Sequence, residues 1–328
     1  MSGSGLELHV VLAALLIDAA VGDPAWFYRR VPHPVVALGK LVELSERWLY
    51  RASPRWLCGL GGAATVAVVV GAGVAAGWSI ERFLIARWPH GWVLEGVIAS
   101  TLIAFRGLHD HALAVADGLD RSLDAGREAV SHIVGRDPAS LDEAGVARGA
   151  IESVAENFSD GVVAPLFWYG LAGLPGLIAY KAVNTLDSMI GHRTERYRHF
   201  GTAAARLDDA VNWLPARLAG LYFVAAAWLR PGANGARAAR VMVRDAGKHR
   251  SPNAGWQEAA VAGALDLALA GPRRYRHETV DDAWMGDGRA ELDAGDIRRA
   301  LHLYITAGTL VAATLATLAT SAALGWLI

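Results

Sequence analysis

Two uninterrupted apolar runs dominate the pattern along the chain, residues 57–80 (LCGLGGAATVAVVVGAGVAAGWSI) and 303–328 (LYITAGTLVAATLATLATSAALGWLI). Each matches the ~20 residues a helix needs to cross hydrocarbon. Shorter runs lie at 6–21, 92–105, 161–180 and 213–229. Gly73 and Gly77 suit close helix packing in lipid. The 161–180 run holds Pro165, Pro175 and four glycines, which predicts a broken or re-entrant segment lining a cavity rather than a clean span. Polar stretches at 106–160, 181–212 and 230–302 separate the later runs and read as folded, amphipathic helical loops. The expected fold is an all-α integral membrane protein, a polytopic helical bundle with about 4–6 membrane segments. It is read as a single membrane-embedded domain over residues 1–328.

Composition supports a lipid-bilayer setting: 53% of the 328 residues are hydrophobic and only 19% charged, with mean hydropathy +0.27. A net charge of -1 gives no basic footprint for nucleic acid. The lone Cys58 cannot form an internal disulfide and reads as a small buried hydrophobe. The first apolar run lacks a basic flank and contains Asp18, so no cleaved signal peptide is expected. Lys and Arg concentrate in 28–56, 106–160 and 230–302 and are sparse in 81–90 and 181–212. The positive-inside rule therefore places the first three stretches in the cytoplasm. Strict alternation would send 181–212 across the membrane, a conflict that a re-entrant 161–180 removes.

Ser140-Leu-Asp-Glu143 has the spacing of a capping box, which predicts a helix over about 141–158 with Ser140 as its cap. On that helix Ala147, Ile151, Val154, Ala155 and Phe158 share an apolar stripe, while Arg148, Glu152, Glu156 and Ser159 share another. The polar stripe is either a solvated face with an Arg148–Glu152 pair or a carboxylate site. YKAVNTLDSMIGHRTERYRHFG, residues 180–201, sorts in the same way. Lys181, Asn184, Asp187, Ser188 and Gly191 fall on one side, opposite Ala182, Val183, Leu186, Met189 and Ile190. Ionisable groups beside lipid usually face a cavity, a partner or a ligand. In GDPAWFYRRVPHPV, Pro32 and Pro34 hold His33 extended, either to aim its ring or as a rigid turn. In KHRSPNAGWQEAA, Ser251 and Pro252 resemble N-cap and N1 of a helix carrying Glu258. His249, Arg250 and Asn253 then cluster at its N-terminus, where amides attract anions.

The sequence holds no G-x-x-x-x-G-K-[ST], G-x-G-x-x-G, H-E-x-x-H or G-x-S-x-G motif. A nucleotide would have to be held through Mg²⁺ on carboxylates, with Arg and Lys on its phosphates. Glu152, Glu156, Asp160, Asp187, Asp208 and Asp209, with Lys181, Arg193, Arg206 and Arg217, supply both kinds of group. Hard oxygen donors argue against zinc.

GDPAWFYRRVPHPV, ARGAIESVAENFSDGVVAPLFWY, YKAVNTLDSMIGHR, RLDDAVNWLPARL, DAGKHRSPNAGWQEAAVAGAL and GDGRAELDAGDIRRA occur in the order of the adenosylcobinamide-phosphate synthase family, CobD or CbiB. The resemblance covers nearly the whole chain. It implies a multi-pass enzyme of the cell membrane that joins adenosylcobyric acid to (R)-1-amino-2-propanol phosphate, or a related amino-alcohol phosphate, at the expense of ATP. An acyl phosphate is the expected intermediate, because a carboxylate is a poor electrophile until its oxygen becomes a leaving group.

On that basis Glu152, Glu156, Asp187 and Asp209 are assigned to Mg²⁺ and the ATP phosphates, with Asp187 also counted as catalytic. Lys181, Arg193 and Arg217 are assigned to charge neutralisation, and His33, His192 or His249 to accepting the amine proton. Asn157, Asn184, Asn212 and Asn253 are assigned to substrate amides. The site is expected to face the cytoplasm. A homo-oligomer, or contact with other corrin-pathway enzymes, is left open. Two alternatives remain at this stage, a polytopic transporter and a UbiA-like, Mg-dependent prenyltransferase.

Overall fold

The computed structural model of the chain describes residues 3–134, 138–192, 194–275, 278–280 and 282–325. Arg193 lies outside the described residues. The helices of the first half are α1 (Gly3–Val21), α2 (Ala25–Tyr28), α3 (Pro34–Leu49), α4 (Arg55–Ser79), α5 (Gly91–Ser100), α6 (Phe105–Arg121), α7 (Leu123–Val130) and α8 (Glu143–Phe158). They are followed by α9 (Ala164–Ile190), α10 (Tyr197–Phe200), α11 (Thr202–Val211), α12 (Trp213–Leu229), α13 (Gly235–Asp245), α14 (Ala254–Leu265) and α15 (Ala294–Ala323). Four short strands, β1 (Leu269–Ala270), β2 (Arg273–Tyr275), β3 (Glu278–Val280) and β4 (Trp284–Met285), pair antiparallel as β1–β4 and β2–β3. The 230–302 stretch, expected to be helical throughout, therefore carries two small ribbons.

Among the described residues, four helical stretches are long and apolar enough to cross a membrane: Arg55–Ile85, Gly91–Arg121, Glu143–Ile190 and Ala294–Ala323. Trp213–Leu229 is apolar but shorter. This is the polytopic helical fold that the apolar pattern predicts. The chain divides into two compact units.

The first unit comprises Met1–Ala104, Ala164–Asn212 and Leu315–Ile328. Its core gathers Val42, Cys58, Val69, Ala182, Leu186, Ile190 and Phe200. Cys58 is thus buried, and so is the apolar side expected of the 180–190 helix. Helix α9 is broken where its proline and glycines predict: Ala172 (φ −143°, ψ 22°) and Gly173 (φ 61°, ψ −155°) leave helical geometry just before Pro175. A positive φ at Gly173 is one that a residue with a Cβ rarely adopts. The break frees the Leu174 amide, which donates to Glu81 Oε1 at 2.8 Å.

Helix α4 approaches this break through Gly77, where an added Cβ would lie 2.6 Å from Pro175 Cα. Gly73 faces the Ile178 side chain in the same contact. Leu60, Val68, Val74 and Trp78 of α4 remain exposed, as a lipid-facing surface requires. We expect Gly77→Ala to destabilise the protein by about 1–3 kcal/mol through overpacking against backbone that cannot yield. Gly71→Ala, which meets nothing within 4 Å, is the neutral control. Thermal unfolding in detergent measures the difference.

The second unit comprises Phe105–Val163 and Trp213–Thr314. Phe105 and Tyr304 stack at 4.7 Å, and Phe158 packs on Phe223 at 4.7 Å and Tyr304 at 5.4 Å. Helix α8 buries Ala147, Ile151, Val154, Ala155 and Phe158, the whole predicted stripe. Its cap is Asp142, whose Oδ1 accepts the Gly145 amide at 2.8 Å. Ser140 instead ends a short 3₁₀ turn, Pro138–Ser140. The capping box is off by two residues because a carboxylate at position 142 already satisfies the first orphan amides.

Candidate active site

In the second unit, the Gly149–Asn157 stretch of α8 and the turn leading into α14 line a cavity of ≈ 370 Å³. Glu152, Glu156 and Asn157 enter from α8; Lys248, His249 and Arg250 enter from the turn, and Glu258 from α14. Acids and bases therefore meet in one concave space, drawn from two sequence blocks some ninety residues apart.

Each acid is placed differently. Glu152 is 4% exposed, so its face is not solvated, and its Oε1 accepts the Ala270 amide at 2.8 Å. Ala270 makes that bond from a left-handed backbone, φ 58°. A non-glycine residue held there is a strained geometry that concentrates at functional sites. Glu156 and Asn157 stand at the exposed mouth, and Asn157 Nδ2 donates to the Ser153 carbonyl at 2.9 Å. Arg148 donates to the Ala290 carbonyl at 2.8 Å, with its guanidinium over the Trp284 ring.

The cationic wall is held by two acids, Asp245 behind it and Asp282 in the cavity lining. Asp245, wholly buried at the end of α13, bonds Arg244, Lys248 Nζ at 2.6 Å and the Gly286 amide at 2.9 Å. Burial pushes its carboxyl up, but the hydrogen bonds from Arg244, Lys248 and Gly286 outweigh burial and hold it well below the usual carboxylate range. Arg250 Nε meets Asp282 at 2.6 Å. The Ser251 amide donates to His249 Nδ1 at 3.0 Å. The Ser251 carbonyl lies 3.3 Å from the same Nδ1, and the other ring nitrogen, Nε2, is 3.8 Å from Glu258 Oε1. Helix α14 starts at Ala254 rather than Pro252, and Ser251 Oγ still accepts the Asn253 and Ala254 amides.

A second cavity, ≈ 400 Å³, is lined by Arg217, His249, Arg250, Ser251 and Trp256. It shares His249 and Arg250 with the first. Arg217 donates to the Trp213 carbonyl and to Asn253 Oδ1.

The remaining candidates belong to the first unit. Lys181, Asn184 and Asp187 are half-buried along one side of α9. Asp187 feels the charges of His192 and Asp209. Asn212 is 1% exposed and its Oδ1 accepts from Tyr180 Oη at 2.9 Å. His33 caps α3, its Nδ1 accepting the Val35 amide at 3.2 Å, in the extended backbone its flanking prolines predict. Burial pushes the imidazole below its ordinary value; Lys181 adds to this, and Asp23 and the Thr101 carbonyl oppose it.

Sequence reasoning placed Glu152, Glu156, Asn157, His249 and Asn253 in or beside the cavities. It left Lys248, Asp245, Asp282 and Ala270 unmentioned and gave Glu258 no role. Lys248 could have been found from its position beside His249 in KHRSPN. Ala270 carries no chemical signal, since only its backbone amide is used.

Mg²⁺ takes one or two carboxylates and fills its remaining positions with water and phosphate oxygens. Glu152 and Glu156, one turn apart beside Lys248 and Arg250, fit that demand. Among the described residues no group of three or more His, Cys, Asp or Glu is arranged to hold a metal by itself.

Comparison with known proteins extends beyond these motifs. The family described as CobD/Cbib protein matches residues 11–304. The chain is similar to "Cobalamin biosynthesis protein CobD" of Sinorhizobium fredii, 49% identical over 95% of this chain and 97% of that one. The protein of the same description from Rhodobacter capsulatus is 48% identical over 90% and 92% of the two chains. That from Brucella suis is 48% identical over 94% and 98%. No solved structure matches. With a family match over nearly the full length and relatives near half identity, the chain belongs to the CobD/Cbib family.

Proposed function

We propose that the protein acts in cobalamin biosynthesis as an adenosylcobinamide-phosphate synthase, forming an amide between adenosylcobyric acid and (R)-1-amino-2-propanol phosphate or a close relative, with ATP as co-substrate. The carrying observation is the cavity that sets Glu152, Glu156 and Glu258 against Lys248, His249 and Arg250. Family membership and the relatives' printed role in cobalamin biosynthesis support the same reading.

In this reading Glu152 and Glu156 hold Mg²⁺, which when bound neutralises phosphate charge. Lys248 and Arg250 hold phosphate oxygens, in the manner of cationic clamps on a transferring phosphoryl group. The substrate carboxylate attacks the γ-phosphorus and ADP leaves. The amine then attacks the acyl carbon, and inorganic phosphate departs with the C–O bond that breaks. The ammonium must first lose a proton to become a nucleophile. Glu258 accepts it, with His249 Nε2 3.8 Å from the carboxylate. Asn157, at the mouth, is placed to bond an amide of the corrin rim. Asp187 and Asp209 with Lys181 form a separate acid-and-base set within the first unit, which we propose as phosphate and metal ligands.

The test is an assay in nanodiscs with adenosylcobyric acid, the amine phosphate, ATP and Mg²⁺, following amide by mass spectrometry and nucleotide release together. Amide with stoichiometric ADP is expected, and EDTA abolishes it. AMP in place of ADP would replace the acyl phosphate with an acyl adenylate. Uptake of labelled substrate without turnover would sink the ligase reading in favour of transport. Glu156→Gln and Asp187→Asn are each expected to lower turnover at least about 10-fold; near-native turnover in both, in folded protein, removes the metal assignment.

We further propose that the site faces the cytoplasm. Arg196, after α9, is 57% exposed and ion-paired to Glu46 at 2.7 Å. In a Cys58→Ala background, Arg196→Cys is expected to react with an impermeant thiol reagent only from the cytoplasmic side. Reaction only from outside overturns the orientation.

A further inference from the structure

The second cavity holds a cation that the reaction described above does not use. Arg217 lies 4.2 Å from the ring of Trp213 and 4.7 Å from that of Trp256, so its guanidinium is held between two indoles. Stacking of this kind fixes the plane of the group and removes water from its faces, leaving its edge as the direction in which N–H donors act. The edge bonds are to neutral acceptors, the Trp213 carbonyl and Asn253 Oδ1. Among the described residues no carboxylate pairs with Arg217, whereas Arg250 across the same cavity is paired to Asp282 and Lys248 to Asp245. A rigid, partly dehydrated cation without a protein counter-charge, facing a cavity with a second arginine and a serine hydroxyl, calls for an anion from outside.

Position narrows which anion. His249 and Arg250 form a wall common to this cavity and the one assigned to the nucleotide. A small bifunctional molecule whose anionic end rests on Arg217 would extend its other end toward His249, and the Nε2 side of that ring faces Glu258. An amine there lies beside the group assigned to take its proton. At ≈ 400 Å³ the space suits a phosphorylated amino alcohol of about ten heavy atoms, within the lower range of small-molecule sites.

We infer that the second cavity is the subsite for the phosphomonoester of the amine substrate, with Arg217 as its fixed cation, separate from the site of the ATP phosphates. This rests on the amide-forming reading and makes two substrates enter by two cavities that meet at His249. It also withdraws Arg217 from the nucleotide, where the sequence pattern had put it.

The experiment compares wild type, Arg217→Gln and Arg217→Lys in zwitterionic nanodiscs, after thermal unfolding has shown that each is folded. Binding is followed by the tryptophan fluorescence of Trp213 and Trp256, and steady-state kinetics are run with 1-amino-2-propanol phosphate and with unphosphorylated 1-amino-2-propanol. Loss of a charge-assisted contact to phosphate is expected to raise the Kd and KM for the phosphorylated amine about 10- to 100-fold in Arg217→Gln. KM for ATP stays unchanged. The unphosphorylated amine is used equally by wild type and variant, so that their preference for the phosphate collapses. Arg217→Lys restores part of the affinity, because an ammonium keeps the charge but not the stacked fork. A rise in KM for ATP with none for the amine phosphate overturns the subsite while leaving the reaction standing. Absence of any turnover in wild type, with Arg217-dependent fluorescence binding of the phosphorylated amine intact, overturns the reaction and keeps the anion site. If the Arg217-dependent signal instead follows phosphatidylglycerol content in the nanodisc and ignores the amine phosphate, the anion is a lipid headgroup and the subsite assignment falls.

Discussion

Glu258→Gln lowers the rate of amide formation by roughly 10²–10⁴-fold, the range for loss of a positioned general base. Glu258 is 2% exposed and sits where α14 lines the cavity, so glutamine keeps its shape and removes only its ability to take a proton. His249 is the weaker candidate, since its Nδ1 is engaged by the Ser251 backbone. The measurement is single-turnover amide formation with ATP consumption followed in parallel. If ATP cleavage persists while amide formation stalls, the defect lies at the amine step, as assigned. If Glu258→Gln turns over at the wild-type rate across pH 6–9, the proton goes elsewhere and Glu258 is only a wall.

Asp245→Asn lowers stability by about 3 kcal/mol, the lower end of the range for breaking a buried ion pair. The lower end applies because Arg244 and Lys248 are each 43% exposed and can be rehydrated. The pH dependence follows from the direction of the shift. Asp245 is held below the usual carboxylate range in the folded state, so its stabilisation is complete above the unfolded value of ~4 and is lost as pH falls through the folded one. The gap in unfolding temperature between wild type and variant should therefore be constant from about pH 7 to 5 and close below about pH 4. A gap that is small at neutral pH, or that widens in acid, would falsify the anchoring role. Asp245 holds Lys248 against the cavity, so the variant should also bind ATP more weakly even below its unfolding temperature.

The apolar pattern carried most of the fold. The runs at 57–80 and from 303 onward lie in long helices, α15 reaching Ala323, and Pro175 with its neighbouring glycines marked the break in α9, because a missing N–H and a missing Cβ act locally. The ribbons at 269–285 were not legible, since strands of two or three residues are too short to show a period. In the site, the stripe holding Glu152 and Glu156 was visible as a helical face, but whether it met water or a cavity depended on β1, which packs over it from residues far downstream. Asp245 could not be recognised as an anchor because burial is a property of the assembled unit, and an Asp four residues before His249 looks like any surface acid. Of the three histidines proposed as bases, His33 is committed to capping α3 and His192 lies exposed beyond α9. Only His249 of the three lines the cavity of the second unit.

The bond between Glu81 and the Leu174 amide has a consequence for how the protein is made. Its partners are 93 residues apart, so Glu81 leaves the ribosome well before the amide it must accept exists. An acidic side chain at the end of a membrane-length helix is poorly tolerated by lipid until it finds its donor. While the chain is being made, the Arg55–Ile85 helix therefore carries an acid whose donor does not yet exist. A chain stalled before residue 174 should be a preferred target of membrane quality control, and the broken helix a checkpoint in biogenesis.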